Sequence, residues 1–165
     1  MPEICAEYER LARRYIERVK SGIPFRFYHF NLDLYHAPCL AKRISACGAG
    51  YEYIAVAPNG NIYPCHQFVG EEDYILGNVT TGWNEHAAGI GQAFRENTIL
   101  NKKACDNCWA KLFCSGGCHA NAYFSNGSIT EPNAVSCMLQ KKRIECAIMV
   151  QTALAQEEIK QEMVK

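Results

Sequence analysis

Cys105-Asp106-Asn107-Cys108-Trp109-Ala110-Lys111-Leu112-Phe113-Cys114-Ser115-Gly116-Gly117-Cys118 carries four of the ten cysteines in this 165-residue chain. The gaps read Cys-x2-Cys-x5-Cys-x3-Cys. Thiolates two and five residues apart on a loop can converge on one ion or cluster, and Gly116 and Gly117 let the backbone turn sharply before Cys118. Working outward, Cys47-x12-Gly60-x4-Cys65 lies upstream and Cys137 downstream. Between Cys47 and Cys65 the stretch from Tyr51 to Val56 reads as a strand, Pro58-Asn59-Gly60 as a turn and Ile62-Tyr63 as the start of a return strand. Asn-Gly supplies the positive φ angles of a tight hairpin turn. Such a hairpin brings its flanks together, so Cys47 and Cys65 can meet.

One run of four cysteines can hold one metal. In two-cluster ferredoxins, however, the fourth cysteine of a C-x2-C-x2-C-x3-C run crosses to the other cluster. By that logic Cys105, Cys108 and Cys114 form one face completed by Cys137, and Cys118 joins Cys47 and Cys65. Two structural zinc sites, of four cysteines or of three and a histidine, use the same Cys-x2-Cys pairs and stay open as an alternative.

The rest of the composition narrows the field. Hydrophobic residues make up 48% of the chain and the formal net charge is zero. A nucleic-acid groove or an anionic-membrane surface needs a basic excess, which is missing. No apolar run approaches the roughly 18–20 residues of a membrane span, and the charged N-terminus lacks the apolar block of a signal peptide. A cytoplasmic location is expected, where disulfides are disfavoured and clustered cysteines bind metal or do redox chemistry.

The fold class expected is α+β and loop-rich. Residues 5–20 repeat Tyr8, Leu11, Ala12, Tyr15, Ile16 and Val19 at helical spacing, stopped by Ser21-Gly22-Ile23-Pro24. Aromatic-rich residues 25–32 read as a strand, 33–50 as loop, 84–98 as a modest helix and 101–133 as mostly loop. A long helix follows from about Asn133, with Cys146, Ala147, Val150 and Leu154 on one apolar face. The expected division is residues 1–34, a helix–strand remnant like the end of an α/β barrel, and 35–165, the cysteine-bearing domain.

The pattern C-x(9–15)-G-x4-C, then C-x2-C-x5-C-x3-C, then C resembles the SPASM domain, which sits C-terminal to the barrel in radical-SAM enzymes that modify ribosomally made peptides. The stretches Cys47-Gly48-Ala49-Gly50-Tyr51, Ile62-Tyr63-Pro64-Cys65-His66-Gln67-Phe68-Val69-Gly70, Leu76-Gly77-Asn78-Val79 and Cys114-Ser115-Gly116-Gly117-Cys118-His119-Ala120-Asn121-Ala122-Tyr123 are similar to a narrower group, the maturases of SCIFF peptides. The resemblance implies two auxiliary [4Fe-4S] clusters, the first on Cys47, Cys65 and Cys118 and the second on Cys105, Cys108, Cys114 and Cys137. It implies electron transfer and substrate-thiol binding during thioether formation in a cysteine-rich precursor peptide. Three ligands leave one iron of the first cluster open to a substrate thiolate, and Cys39 is the candidate fourth ligand. The C-x3-C-x2-C motif of the radical-generating cluster is absent, so S-adenosylmethionine belongs to a barrel domain or chain that this sequence does not contain. The expectation is that the chain alone does not start radical chemistry. A zinc module and a free-standing ferredoxin-like electron carrier are the competing functions.

Other residues carry blander readings. Cys5 and Cys146 suit helix packing as small hydrophobes. His66 and His119 each follow a proposed ligand and fit surface or packing roles better than cluster tuning. Tyr63, Phe68, Trp109, Phe113, Tyr123 and Phe124 can shield clusters or simply build core. Lys141-Lys142-Arg143 fits a solvated helix face.

Overall fold

The computed structural model describes residues 2–32 and 39–163. It divides into two compact units, one of Met1–Ala37 with Ala134–Lys165 and one of Pro38–Asn133. The last helix thus groups with the N-terminal segment instead of with the cysteine-rich stretch. The expected boundary at residues 34–35 lies outside the described residues, as do residues 33–38 of the expected loop.

The first unit is built on two helices, α1 (Pro2–Lys20) and α6 (Ala134–Met163). Their apolar faces bury Ala12, Cys146 and Val150 together with Phe30, flanked by Tyr8, Leu11, Tyr15, Ile16, Met149 and Leu154. Cys146 is therefore a packed thiol, as its place on the apolar face implies. Cys5 is half-buried on α1. Helix α1 ends where Gly22 takes φ +73° and the Ser21 N–H closes on the Glu17 carbonyl at 3.0 Å.

The aromatic stretch that follows is not a strand. Among residues 25–32 the only regular element is a single 3-10 turn, Tyr28–Phe30. A strand needs a neighbour to satisfy its backbone; here the demand is met otherwise. Gln151 of α6 donates its side-chain amide to the carbonyls of Phe30, at 3.2 Å, and Leu32. Phe27 and Tyr15 both pack edge-on against the Phe30 ring, so the aromatic content that suggests a strand serves helix packing. Lys142 is not on a plainly solvated face either: its ammonium bonds Glu9 of α1 at 2.9 Å and Glu145 at 2.8 Å.

The second unit opens with α2 (Leu40–Ser45) inside the expected loop. A four-stranded antiparallel sheet follows in chain order: β1 (Ala55–Val56), β2 (Asn61–Tyr63), β3 (Gly77–Asn78) and β4 (Gly82–Trp83). Val56 faces Ile62 across the hairpin. At its turn the Gly60 N–H reaches the Ala57 carbonyl at 2.8 Å, and Gly60 alone has positive φ, +83°. This is the longer hairpin loop with glycine in the left-handed position, not the two-residue turn that needs two positive angles. The first strand is also shorter than the sequence suggests. Residues 50–52 turn before it, with an isolated bridge between Ala49 and Tyr53.

Helix α3 (Ala87–Glu96) matches the expected modest helix. The stretch 101–133 is more helical than its composition suggests, with α4 (Lys111–Cys114) and α5 (His119–Asn126). The core of this unit gathers Ala49, Tyr63, Cys65, Phe68, Phe94 and Ala120. Phe68 is its centre, with ring centroids of Tyr74, Phe94 and Tyr123 at 4.3, 5.5 and 5.6 Å. The α+β, loop-rich class stands.

Candidate metal centres

Cys65 follows β2 directly and is 5% exposed. Cys47 stands at the other end of the hairpin region. The two flanks are tied where the Gly50 N–H donates to the Pro64 carbonyl at 2.9 Å. Cys118 caps the start of α5, and its carbonyl accepts the Ala122 N–H at 3.0 Å.

One phenol lies within electrostatic reach of all three thiols. Tyr53 donates its hydroxyl to the Cys47 sulfur at 3.8 Å. Burial pushes the Tyr53 hydroxyl up from its ordinary range, the bond to Cys47 adds to this, and the charges of Cys47, Cys65 and Cys118 act in the same direction. Burial likewise pushes the Cys65 thiol up. The backbone N–H groups of Gln67 and Phe68 oppose that rise, while the charges of Cys118 and Cys47 reinforce it. Gln67 serves twice, for its side-chain amide also donates to the Cys118 sulfur at 3.5 Å. Each of the three sulfurs thus has a hydrogen-bond donor, which suits a group that must carry negative charge as a ligand. Cys39 caps α2 and is exposed; its charge acts on Lys42, which is bonded to Glu52.

The second expected set begins on a 3-10 turn, Lys103–Cys105. The Cys108 N–H donates to the Cys105 carbonyl at 3.1 Å, and the Lys111 N–H to the Cys108 carbonyl at 3.2 Å. Cys114 ends α4. Ser115, Gly116 and Gly117 then all take positive φ, +58°, +81° and +78°, the sharp turn that the two glycines suggest. A Cβ added at Gly116 would stand 3.0 Å from Ile99 and 3.4 Å from the Lys102 ammonium. Cys105 is buried, and Cys108 and Cys114 are half-buried. Cys137 is half-buried on α6, in the other compact unit.

Lys102 is the residue that sequence reasoning missed here. It is 1% exposed, and its ammonium donates to the Gly116 carbonyl at 2.9 Å. A buried cation is costly unless polar or negative groups lie near, and here the Gly116 carbonyl accepts from it. Its position three residues before Cys105 is the only sequence signal. Tyr53 and Gln67 were missed for a related reason, because a sulfur-directed donor has no signature beyond standing a few residues from a cysteine.

His119 is 1% exposed and neither ring nitrogen has a hydrogen-bond partner among the described residues. Burial, followed by the Lys102 charge, lowers its pKa to about 4. It packs 5.3 Å from the Phe94 ring. His66 is exposed, and so are Trp109 and Phe124, whereas Phe113 carries the Arg43 guanidinium 5.3 Å above its ring.

The expected donor set is sulfur only, and a Tyr53 hydroxyl and a Gln67 amide reach two of its sulfurs. That chemistry fits thiolate-bound iron. Among the described residues no three His, Cys, Asp or Glu side chains are set as ligands of one metal ion.

Residues 47–109 match SPASM, an iron–sulfur cluster-binding domain. The SPASM match includes Cys47, Cys65, Cys105 and Cys108, with Cys114, Cys118 and Cys137 beyond its end. An uncharacterized protein of Archaeoglobus fulgidus is 30% identical over 142 residues, which is 82% of this chain and 34% of that protein. The mycofactocin maturase MftC of Mycolicibacterium smegmatis is 28% identical over 119 residues, 71% of this chain and 29% of that protein. The chain spans about a third of the length of these curated relatives. No helix of the described residues is long and apolar enough to cross a membrane.

Proposed function

We propose that this chain is the auxiliary part of a radical-SAM peptide maturase, holding two [4Fe-4S] clusters. Cys47, Cys65 and Cys118 hold the first, and Cys105, Cys108, Cys114 and Cys137 hold the second. What supports the reading is the match of residues 47–109 to an iron–sulfur cluster-binding domain, beside the side-chain donors that reach the Cys47 and Cys118 sulfurs, Tyr53 at 3.8 Å and Gln67 at 3.5 Å. The similarity to a mycofactocin maturase supports a role in a maturase. The SCIFF-like stretches support a cysteine-rich precursor as substrate and thioether formation as the reaction, and the charged N-terminus with its lack of an apolar block supports the cytoplasm as the compartment. The Cys137 ligand rests on the order and spacing of the seven cysteines.

When bound, the clusters supply one-electron transfer and an iron site for a thiol. The chain's own residues prepare the place. Burial holds the Cys65 thiol protonated, so it gives up its proton as metal binds. Phe68 and its ring of aromatics keep water from the Cys65 side, which affects the potential. The Lys102 ammonium offsets negative charge beside the second set. Three cysteines at the first centre leave a place for the thiol of a peptide substrate.

The test is electron paramagnetic resonance on the loaded, dithionite-reduced protein, with and without a cysteine-containing peptide. The signal that disappears in Cys65→Ala should be the one that shifts when the peptide thiol is added. Reversible reduction with no response to thiol is the behaviour of a ferredoxin-like carrier, and it would overturn the substrate-binding role.

A further inference from the structure

The three thiols of the first centre differ in how their hydrogen-bond donors are supplied. Cys65 is served by backbone N–H groups, from Gln67 and Phe68, which any residues at those positions would provide. Cys47 and Cys118 are served by side chains, the Tyr53 hydroxyl at 3.8 Å and the Gln67 amide at 3.5 Å. Neither side chain is needed to fill the core. Tyr53 is 42% exposed and Gln67 is exposed. Tyr53 is a partner of the isolated Ala49–Tyr53 bridge, two residues before β1, and Gln67 lies in the 3-10 turn His66–Phe68 that follows Cys65. Both elements are fixed at their other ends. The Tyr53 carbonyl accepts the Gly50 N–H at 3.0 Å, and the Phe68 N–H closes the 3-10 turn on the Cys65 carbonyl at 3.1 Å. The backbone therefore aims two polar side chains at sulfur from opposite flanks of the hairpin region.

We infer that Tyr53 and Gln67 set the reduction potential of the centre held by Cys47, Cys65 and Cys118, each by donating one hydrogen bond to a ligand sulfur. The inference rests on the proposed cluster at those thiols and goes beyond it by naming the residues that tune it. Hydrogen bonds to cluster sulfurs are one of the protein's levers on potential. One electron from an external reductant adds one negative charge to the iron, sulfide and thiolate unit. A donor at a sulfur stabilises that added charge. No bond to Tyr53 or Gln67 forms or breaks, and both keep their protons. Loss of either donor therefore makes the centre harder to reduce. Loss of both should be close to additive, because the two donors serve different sulfurs.

The experiment is an anaerobic redox titration of the loaded protein, monitored by electron paramagnetic resonance. The variants are Tyr53→Phe, Gln67→Leu, and the double variant, with iron content measured on each. Tyr53→Phe removes only the hydroxyl. The expected result is unchanged iron content and a midpoint lowered, in each single variant, by about a tenfold change in the one-electron equilibrium, roughly 59 mV. The second centre, identified as the signal that survives in Cys65→Ala, should not move. A second measurement needs no variant. Resonance Raman bands of iron–thiolate stretching in the wild type should shift on exchange into heavy water, and the Tyr53→Phe protein should lose part of that shift. Full iron content with an unmoved first-centre midpoint in both variants would overturn the tuning role and leave the cluster assignment standing. A wild-type protein that takes up no iron, or a Cys65→Ala protein that loses none, would instead overturn the assignment beneath it.

Discussion

Helices α1 and α6 meet through Ala12, Phe30, Cys146 and Val150, an apolar seam of the usual kind. The stretch 38–133 has a core of its own around Phe68, but its strands are two or three residues long and much of the chain between them is turn. Seven of the ten cysteines lie in that second unit, Cys39, Cys47, Cys65, Cys105, Cys108, Cys114 and Cys118. Short strands and turns bury little apolar surface per ordered residue, so conformational entropy is poorly offset there. The difference teaches where metal matters for folding. The first unit is stabilised by side-chain packing together with the Lys142 ion pairs and the Gln151 hydrogen bonds, whereas the loops around Cys47, Cys105 and Cys118 are the ones that the proposed clusters would cross-link.

The comparison breaks most directly under metal removal, where the largest effect is expected. Stripping the clusters with a chelator and oxidant should leave the α1 and α6 amides protected in hydrogen exchange. Amides near residues 47–50, 65–68 and 105–118 should lose protection by orders of magnitude. Equal loss in both units would mean that the two are not stabilised separately.

A pair of substitutions sharpens the contrast. Phe30→Ala empties a site only 2% exposed and should cost about 3–5 kcal/mol in unfolding experiments, with iron content unchanged. Cys65→Ala should do the reverse, removing about half the iron while the α1–α6 amides stay protected. Iron loss in Phe30→Ala would show that the seam supports the centres.

The smallest effect is a pH dependence confined to the first unit. Burial, followed by the Arg143 charge, lowers the pKa of His29, whose Nδ1 lies 2.7 Å from the Tyr8 hydroxyl. The unfolded histidine titrates near 6.5 and the folded one below that. Above about 6.5 both states are neutral and the contribution is complete. As pH falls toward the folded value the unfolded state takes up the proton first, and stability is lost. Melting of wild type relative to His29→Phe should therefore decline between pH 7 and pH 5, by about one or two degrees. A flat difference would place His29 in ordinary solvent.

Much of this was legible in the residues. The hydrophobic spacing of residues 5–20 and the turn at Asn59-Gly60 reported their elements, because each signal is local. The aromatic run 25–32 misled because β propensity records a fit to a half-buried surface, and α6 supplies such a surface without a ladder. Residues 119–126 hid a helix because asparagine, cysteine and glycine nearby suggest loop. What decides there is the burial of His119, Ala120 and Ala122 against the core, which is tertiary. At the first proposed centre the spacing suggests the thiols but not Tyr53 and Gln67, since a donor to sulfur is defined by where the fold points it. Lys102 reads in the sequence as a surface lysine and is buried only because the Ser115–Gly117 turn folds its carbonyl onto it.

The central claim is the identity of the metal. Purification without oxygen, followed by iron, sulfide and zinc analysis beside a visible spectrum, tests it most directly. The account predicts about eight iron and about eight sulfide per chain, with broad absorption near roughly 400 nm that bleaches with dithionite. A colourless protein holding about two zinc per chain, with no cluster taken up on reconstitution, would contradict it.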